Sequence, residues 1–245
     1  MSMSRLDQLL VSRGLVDSRA RAKAAIQAGG VTVDGVVITN ASRAFADDAV
    51  VGVVEAHDWV GRGALKLDHA LTLWPVVVEG RVVLDVGAST GGFTEVCLKR
   101  GASKVYAVDV GYGQLHPRIA GESRVVSLER TDARTLDDTI ISEPPGLIVC
   151  DASFIGLAKV LPVALDLAEP GADLIALVKP QFEGEGPSAV GKKGIVKSPE
   201  AHAVAVSGVS DWLAGVGWTV QATTESPITG GDGNVEFLLW AKKPS

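Results

Sequence analysis

The sequence has few aromatic residues, only two cysteines and no long apolar run. Phe, Trp and Tyr together make up 5% of the 245 residues, and Cys97 and Cys150 stand far apart. Such cysteine usage argues against a disulfide framework or a zinc knuckle and points to a reducing compartment. Arg5 and Asp7 interrupt any leader-like segment at the start, and no run approaches the ~18 apolar residues that cross a bilayer. We therefore expect a cytoplasmic protein that does not bind membranes.

Basic residues are also fewer than acidic ones. Lys and Arg number 23 against 29 Asp and Glu, which gives a formal net charge of −6, while 47% of the residues are apolar. This balance excludes a disordered acidic tail and a uniformly basic nucleic-acid coat. The length fits one or two folded domains.

The first part of the chain predicts a small α+β unit. Apolar residues at helical spacing in 6–10 predict one helix, and residues 20–28 predict a second. Asp34 and Gly35, between two runs of β-branched residues, are typical of a tight hairpin. We predict a first domain, a linker and a second domain at residues 1–56, 57–63 and 64–245.

In the second part, apolar strand patterns alternate with helical ones, which predicts an α/β fold with a mainly parallel sheet covered on both faces. The predicted strands are 81–86, 104–108, 125–128, 146–150, 173–178, 218–222 and 235–240. The predicted helices lie near 64–73, 92–100, 156–168 and 199–215. Ligands bind such sheets at the carboxyl ends of the strands. Residues 183–197 combine glycines with lysines and predict a mobile loop.

A glycine-rich turn after the first of these strands predicts a nucleotide site. The string DVGASTGGF begins at Asp85, and the second strand ends in Asp109, which is placed to accept hydrogen bonds from a ribose. The Gly-x-x-x-Gly-Gly spacing differs from that of dinucleotide-binding dehydrogenases. An acid just before the glycines repels a pyrophosphate but attracts a cationic ligand such as S-adenosylmethionine, with Asp85 near its methionine end. The alternative is a plain glycine turn in which Asp85 only caps a helix.

The candidate cofactor residues all lie in or beside the predicted ends of the first three strands. They are Asp85, Gly87, Ala88, Ser89, Gly91, Gly92, Phe93, Asp109, Val110, Asp132 and Ala133. Asp132 would accept a hydrogen bond from an adenine amino group, although an Asp at a strand end is often only part of a turn.

Four charged residues from distant parts of the chain form a candidate catalytic set. Asp151 follows the fourth strand, Lys179 follows the fifth, Lys66 lies on the helix before the first, and Glu236 opens the last. A lysine at the mouth of an apolar strand is costly to desolvate, so it is either paired or functional. Each residue taken singly also fits an ordinary solvated side chain or ion pair.

In this order the four residues resemble the Lys-Asp-Lys-Glu tetrad of FtsJ-type ribose 2′-O-methyltransferases. The strings GALKL, DVGASTGGFT, DASF, LVKPQFE and GNVEFL are similar to those of the TlyA family of ribosomal RNA cytidine 2′-O-methyltransferases, historically labelled haemolysins. The resemblance implies a Rossmann-like methyltransferase with a seven-stranded, mostly parallel sheet, S-adenosylmethionine as cofactor and no metal. It also implies that Lys66, Asp151, Lys179 and Glu236 are catalytic.

The N-terminal segment resembles the RNA-binding module first seen in ribosomal protein S-four. The resemblance and the local positive charge imply a ribosomal RNA or ribosomal-subunit partner, with the large subunit favoured for so compact a chain. We expect a monomer that flips its target nucleotide out of the stack. The candidate RNA-binding residues are Arg5, Arg13, Arg19, Arg21, Lys23, Arg62, Lys192 and Lys193. A solvated helix face is the alternative reading of this charge.

Several questions stay open on the sequence. A ribose hydroxyl must be oriented and lose its proton, and either Lys66 or Lys179 is a candidate base, with water as a third possibility. Rival functions are a methyltransferase acting on protein or a small molecule, and a non-enzymatic RNA-binding assembly factor. A pore-forming cytolysin is disfavoured because no suitable amphipathic or spanning segment is present.

Overall fold

The computed structural model describes residues 3–16, 18–27, 29–53, 59–183 and 194–245. Lys192 and Lys193, and most of the segment predicted to be mobile, lie outside the described residues. The N-terminal elements, in chain order, are β1 (Met3–Arg5), α1 (Leu6–Ser12), α2 (Arg19–Gln27), β2 (Val31–Val33), β3 (Val36–Val37), β4 (Ala44–Ala46) and β5 (Val51–Val53).

The N-terminal unit has its own apolar core. Leu6 and Leu10 of α1 and Ile26 of α2 are fully buried against the strands. The predicted hairpin is present, with β2 and β3 antiparallel around Asp34 (φ 50°) and Gly35 (φ 81°). Both residues are left-handed, as a two-residue hairpin turn with the usual strand twist requires. Strands β1, β4 and β5 were not predicted, because three-residue strands leave almost no alternation to detect.

The second part contains the large sheet and its helices. Its helices are α3 (Gly63–Leu73), α4 (Gly92–Lys99), α5 (Pro117–Ala120), α6 (Leu157–Val160), α7 (Pro162–Leu167), α8 (Pro180–Glu183) and α9 (Pro199–Gly215). Its strands are β6 (Val82–Val86), β7 (Lys104–Asp109), β8 (Val125–Glu129), β9 (Leu147–Cys150), β10 (Asp173–Val178), β11 (Thr219–Glu225) and β12 (Phe237–Lys242). A short 3₁₀ helix spans Ala133–Thr135.

The sheet has seven strands in the order β11-β12-β10-β9-β6-β7-β8. The five strands from β10 to β8 are parallel, whereas β12 runs antiparallel to both β10 and β11. This confirms the predicted seven-stranded, mostly parallel Rossmann-like sheet. Because β12 is antiparallel, its first residue lies at the edge where β10 ends, with Phe237 opposite Val178. The crevice at this edge, between β6 and β9, is where chain order reverses and ligands bind.

Both faces of the sheet are buried. Alternate side chains of a strand point to opposite faces, so Val83 and Leu84 of β6 enter different cores. Val83 packs with Leu67 of α3 and Val96 of α4, while Leu84 belongs to the core that contains Leu161 beside α7. The continuous apolar runs of the parallel strands are explained by this two-sided burial.

The predicted boundaries differ from the structure in two informative places. The single helix predicted over 156–168 is two helices, since Pro162 starts α7 and has no N–H to continue α6. Glu236 precedes β12 by one residue instead of opening it. Among the described residues, no helix is both long and apolar enough to cross a bilayer.

Candidate active site

A glycine turn links β6 to α4 at the carboxyl edge of the sheet. Gly87 has φ 85° and Gly91 has φ 91°, both in the left-handed region. A Cβ atom at Gly87 would lie 2.9 Å from the Cα atom of Ala152, so no side chain fits there. The turn therefore brings backbone close to whatever occupies the crevice.

Asp85 lies fully buried beneath this turn. Its Oδ2 accepts a hydrogen bond of 2.6 Å from Thr94 Oγ1, while its Oδ1 has no hydrogen-bond partner. Burial raises the pKa of the Asp85 carboxyl to about 7. It is not among the residues that line the adjacent cavities. A buried acceptor without a partner is uncommon and marks a place where a bound donor would be stabilised.

The end of β7 forms the wall of one cavity, of about 560 Å³. Asp109 accepts hydrogen bonds from the backbone N–H of Ser89 (2.8 Å) and of Gly111 (2.7 Å), which fixes its carboxylate at the cavity wall. Val110, Asp132 and Ala133 line the same cavity, as do Gly87 and Ser89. The cavity has the size and mixed polarity of a nucleoside site.

Asp132 is already paired within this cavity. Its carboxylate accepts hydrogen bonds from the guanidinium and the backbone N–H of Arg134. The side-chain hydrogen bond from Arg134 lowers the pKa of Asp132 to about 2. The carboxylate is thus ionised, and a ligand's amino group would share it with Arg134.

A second cavity, of about 440 Å³, adjoins the first. The two share Gly87, Ser89, Asp151, Ser153 and Phe154. The second is also lined by the three remaining candidate catalytic residues and by part of the glycine turn: Lys66, Lys179, Glu236, Ala88, Gly92 and Phe93. One crevice thus joins the predicted cofactor residues to the predicted catalytic ones.

The four candidate catalytic side chains meet in one ion-pair chain. Lys66 Nζ lies 2.6 Å from Glu236 Oε2 and 3.5 Å from Asp151 Oδ2. Lys179 Nζ lies 2.6 Å from Asp151 Oδ1. Lys66, Lys179 and Glu236 are buried, and Asp151 is the most exposed of the four, at 20% of its side chain. The structure therefore brings all four together, in the order Glu236–Lys66–Asp151–Lys179.

The two lysines have different surroundings. Burial lowers the pKa of Lys66, but the carboxylates of Asp151 and Glu236 outweigh this effect, and the pKa is raised overall. Lys66 is therefore held as an ammonium ion. Lys179 contacts one carboxylate, and it also donates hydrogen bonds to the Asp151 carbonyl (3.2 Å) and to Ser153 Oγ (2.8 Å).

Phe154 lines both cavities and was not predicted as a site residue. Its side chain is 90% exposed, and its backbone lies in the left-handed region at φ 68°. Its ring centroid lies 5.5 Å from that of Phe182. Strained, exposed residues of this kind cluster at functional sites. No pattern in the sequence indicates a left-handed phenylalanine.

The predicted RNA-binding residues divide between different surfaces. Arg5 and Arg19 both pair with buried Asp7, at 3.0 Å each, and with Lys23 they line a cavity of about 650 Å³ in the N-terminal unit. Asp7 was not predicted as a site residue, because a lone acid in a basic stretch carries no signal. The hydrogen bond from Arg5 lowers the pKa of Asp7 to about 2, so its carboxylate stays ionised.

Arg13, Arg21 and Arg62 are not part of this cavity lining. Arg13 is exposed and donates to the backbone carbonyls of Asp47 and Ala49, and Arg21 is exposed on α2. Arg62 is partly buried beside the other domain's crevice, where it donates to the Thr229 carbonyl at 3.1 Å.

Residues 59–243 match the family described as FtsJ-like methyltransferase, and residues 4–50 match the S4 domain. The chain belongs to the FtsJ-like methyltransferase family. Its N-terminal unit is a small S4 domain. The family match covers the whole large sheet and both crevice cavities.

Relatives of this FtsJ-like protein carry two kinds of name. It is 45% identical to the 16S/23S rRNA (cytidine-2′-O)-methyltransferase TlyA of Mycobacterium tuberculosis, over 98% of this chain and 90% of that one. It is 37% identical to Hemolysin A of Brachyspira hyodysenteriae, over 96% of this chain and 98% of that one. A solved structure described as a hemolysin from Streptococcus thermophilus superposes with a TM-score of 0.78 at 36% identity, covering 100% and 90% of the two chains.

Proposed function

We propose that the protein transfers a methyl group from S-adenosylmethionine to the 2′-hydroxyl of a cytidine in ribosomal RNA. The observation that carries this proposal is the ion-pair chain of Lys66, Asp151, Lys179 and Glu236 at the mouth of the glycine-lined crevice. Two lysines and two carboxylates suit an alkylation that must orient a hydroxyl and remove its proton. The relatives named as cytidine 2′-O-methyltransferases support the same assignment.

The described residues fit S-adenosylmethionine. Gly87 packs so closely on the Ala152 backbone that no Cβ atom fits, which keeps side-chain bulk out of the turn at the cavity wall. The unpartnered Oδ1 of Asp85 offers a buried acceptor near this turn. Asp109 at the wall of the larger cavity suits ribose hydroxyls, and Asp132 with Ala133 lies where an adenine would rest. When bound, this cofactor supplies an electrophilic methyl group on a positively charged sulfur.

The lysines take different roles in the proposed reaction. Lys66 stays charged between two carboxylates and fixes the orientation of Asp151 and Glu236. Lys179 would contact the ribose 2′-oxygen and accept its proton, and the methyl carbon would exchange its bond to sulfur for a bond to that oxygen. Asp151 holds the Lys179 ammonium that results.

The S4 domain supplies RNA affinity in this proposal. Arg5, Arg19 and Lys23 around their cavity suit phosphate oxygens. The target nucleotide leaves its stack to reach the crevice, and its base rests on the exposed ring of Phe154. The proposal includes a large-subunit substrate, a monomeric cytoplasmic enzyme and a division into residues 1–56, 57–63 and 64–245. Arg13, Arg21, Arg62, Lys192 and Lys193 remain proposed RNA contacts.

Lys179→Ala tests the reaction directly. Purified variants are incubated with unmethylated large or small ribosomal subunits and S-adenosylmethionine, and ribose methylation is mapped. We expect Lys179→Ala to lose methyl transfer while its calorimetric affinity for S-adenosylmethionine changes less than about twofold. Lys104→Ala, at the amino end of β7 on the opposite edge, is the matched control and keeps full activity. Wild-type methylation rates in the Lys179→Ala protein would refute the catalytic assignment.

A further inference from the structure

The segment 179–183 contacts the crevice loop 151–156 at both ends of the loop. Lys179 contacts the start of the loop, at the side chain and carbonyl of Asp151. Glu183, at the end of α8, contacts its far end, where Glu183 Oε1 accepts a hydrogen bond of 2.9 Å from the backbone N–H of Leu157. Lys179 and Glu183 are four positions apart in the sequence, and the single turn of α8 lies between their contacts with the loop. The loop is therefore held at both ends by side chains of the short segment 179–183.

The Glu183 contact is close-packed. A Cβ atom at Gly156 would lie 3.2 Å from Glu183 Oε2 and 3.0 Å from the carbonyl oxygen of Phe182, so a side chain there would crowd both oxygens. Glu183 is partly buried, and burial raises the pKa of its carboxyl. Gly156 is the N-cap of α6, and the N–H of Leu157, the first residue of this helix, has no partner within the helix. Glu183 supplies the acceptor for that N–H. A carboxylate is costly to bury without a hydrogen-bond partner, so the contact with the Leu157 N–H fixes the Glu183 carboxylate at the end of the loop.

Loop 151–156 contains Phe154, the cavity residue with the left-handed backbone. Phe154 adopts φ 68°, a conformation disfavoured for any residue with a Cβ, and its exposed ring contacts the ring of Phe182. Such a conformation persists only where the surrounding structure holds it. Phe182 lies next to Glu183, so the ring contact and the carboxylate contact come from neighbouring residues. Both stabilise the same loop shape.

We propose that Glu183 is a positioning residue for methyl transfer, which holds loop 151–156 so that Phe154 stands at the crevice mouth. Glu183 itself is not among the residues lining either cavity, so it acts through the loop and does not touch the substrate. The proposal rests on the proposed function and extends it. It assigns a role to the last acid of the LVKPQFE string, which the catalytic chain leaves unused.

Two variants of similar size separate hydrogen bonding from packing. Glu183→Gln keeps an oxygen that accepts the Leu157 N–H, whereas Glu183→Met keeps the length and loses the acceptor. We expect Glu183→Met to lower kcat/KM for ribosomal subunits about tenfold and Glu183→Gln to stay within about twofold of wild type. Glu79→Met, at an exposed glutamate ahead of β6, is the control and keeps wild-type activity. Equal activities of the Gln and Met variants would overturn the proposal.

A double-mutant cycle with Phe154→Ala tests the route of the effect. If Glu183 acts by presenting Phe154, adding Glu183→Met to Phe154→Ala costs less than about twofold in kcat/KM. The same full loss in both backgrounds would contradict the proposed role, because a general structural defect does not depend on Phe154. Thermal unfolding of each variant confirms that the folded fraction is unchanged at the assay temperature. The wild-type protein in the same assay tests the proposed function separately, since its inactivity would reject methyl transfer and not the role of Glu183.

Discussion

Lys66 Nζ lies 2.6 Å from Glu236 Oε2 although 170 positions separate the two residues in the sequence. Both are buried, at 7% and 3% exposure, and Asp151 is the second carboxylate near the same ammonium. Removing one member of a buried pair leaves an uncompensated charge, which typically costs ~3–5 kcal/mol. The pair therefore matters for stability as well as for the proposed chemistry.

Lys66→Met should lower the free energy of unfolding by about 3 kcal/mol, because Glu236 then stays buried without its cation. The double variant Lys66→Met/Glu236→Gln should lose less than the sum of the two single variants. Urea denaturation gives all four values. The half-buried pair Arg124 and Glu122 is the control, and Glu122→Gln should cost less than about 1 kcal/mol. Strict additivity at Lys66 and Glu236 would show that their contact is not energetically coupled.

Asp85 should make the ligand-free protein less stable as the pH rises from about 4 to about 7. Burial raises the pKa of its carboxyl from 3.8 to about 7, so the folded state holds a proton that the unfolded chain has released in this window. The stabilising contribution is complete below pH 4 and is lost as the pH passes 7. Asp85→Asn should remove this slope. The measurement is the urea midpoint at several pH values, and an identical slope in the variant would contradict the assignment.

S-adenosylmethionine should bind more tightly as Asp85 ionises. A carboxylate attracts the ammonium group of the ligand, so affinity should rise up to about tenfold between pH 6 and pH 8. Asp85→Asn should bind more weakly at pH 8 and show a flat profile. Calorimetry at fixed ionic strength gives the dissociation constants. A profile in the variant that parallels wild type would place the ligand's ammonium elsewhere.

Asp7 and Arg19 should affect RNA binding in different ways. Arg19→Ala should remove about one unit from the slope of log affinity against log salt, because one phosphate contact is lost. Asp7→Asn should weaken binding with little change in slope, since Arg5 and Arg19 keep their charge but lose the carboxylate that orients them. Filter binding of ribosomal RNA fragments across a salt series separates the two. Equal slopes for Arg19→Ala and wild type would move the phosphate contacts to another surface.

Phe154→Ala should reduce methylation of ribosomal subunits at least fivefold while leaving the unfolding midpoint nearly unchanged. The ring is exposed, so little packing is lost, whereas stacking on a base is worth ~1–3 kcal/mol. Phe154→Trp should retain activity because it preserves a stacking face. Single-turnover methylation and thermal unfolding provide the two readouts. Full activity of the Ala variant would exclude a stacking role.

The sequence predicts which charged residues meet at the edge of the sheet, but it does not predict the loop contacts and backbone conformations around them. Strand ends were readable because apolar runs stop abruptly before Asp151 and Lys179, and parallel strands bring such ends to one edge. The contact between Glu183 and Leu157 was not predictable, since a helix of four residues shows no periodicity. The left-handed backbone of Phe154 was also hidden, because it depends on contacts from Phe182 and the surrounding loop.

Strand β12 is the last strand in the sequence but lies inside the sheet, so the sheet can be completed only after nearly the whole chain has been synthesised. This strand lies between β10 and β11 in the sheet, and Glu236 directly precedes its first residue. A ribosome that has released only residues up to β11 has produced most of the crevice but neither β12 nor the carboxylate that pairs with Lys66. Completion of the sheet and completion of the candidate catalytic set therefore both require the last segment of the chain.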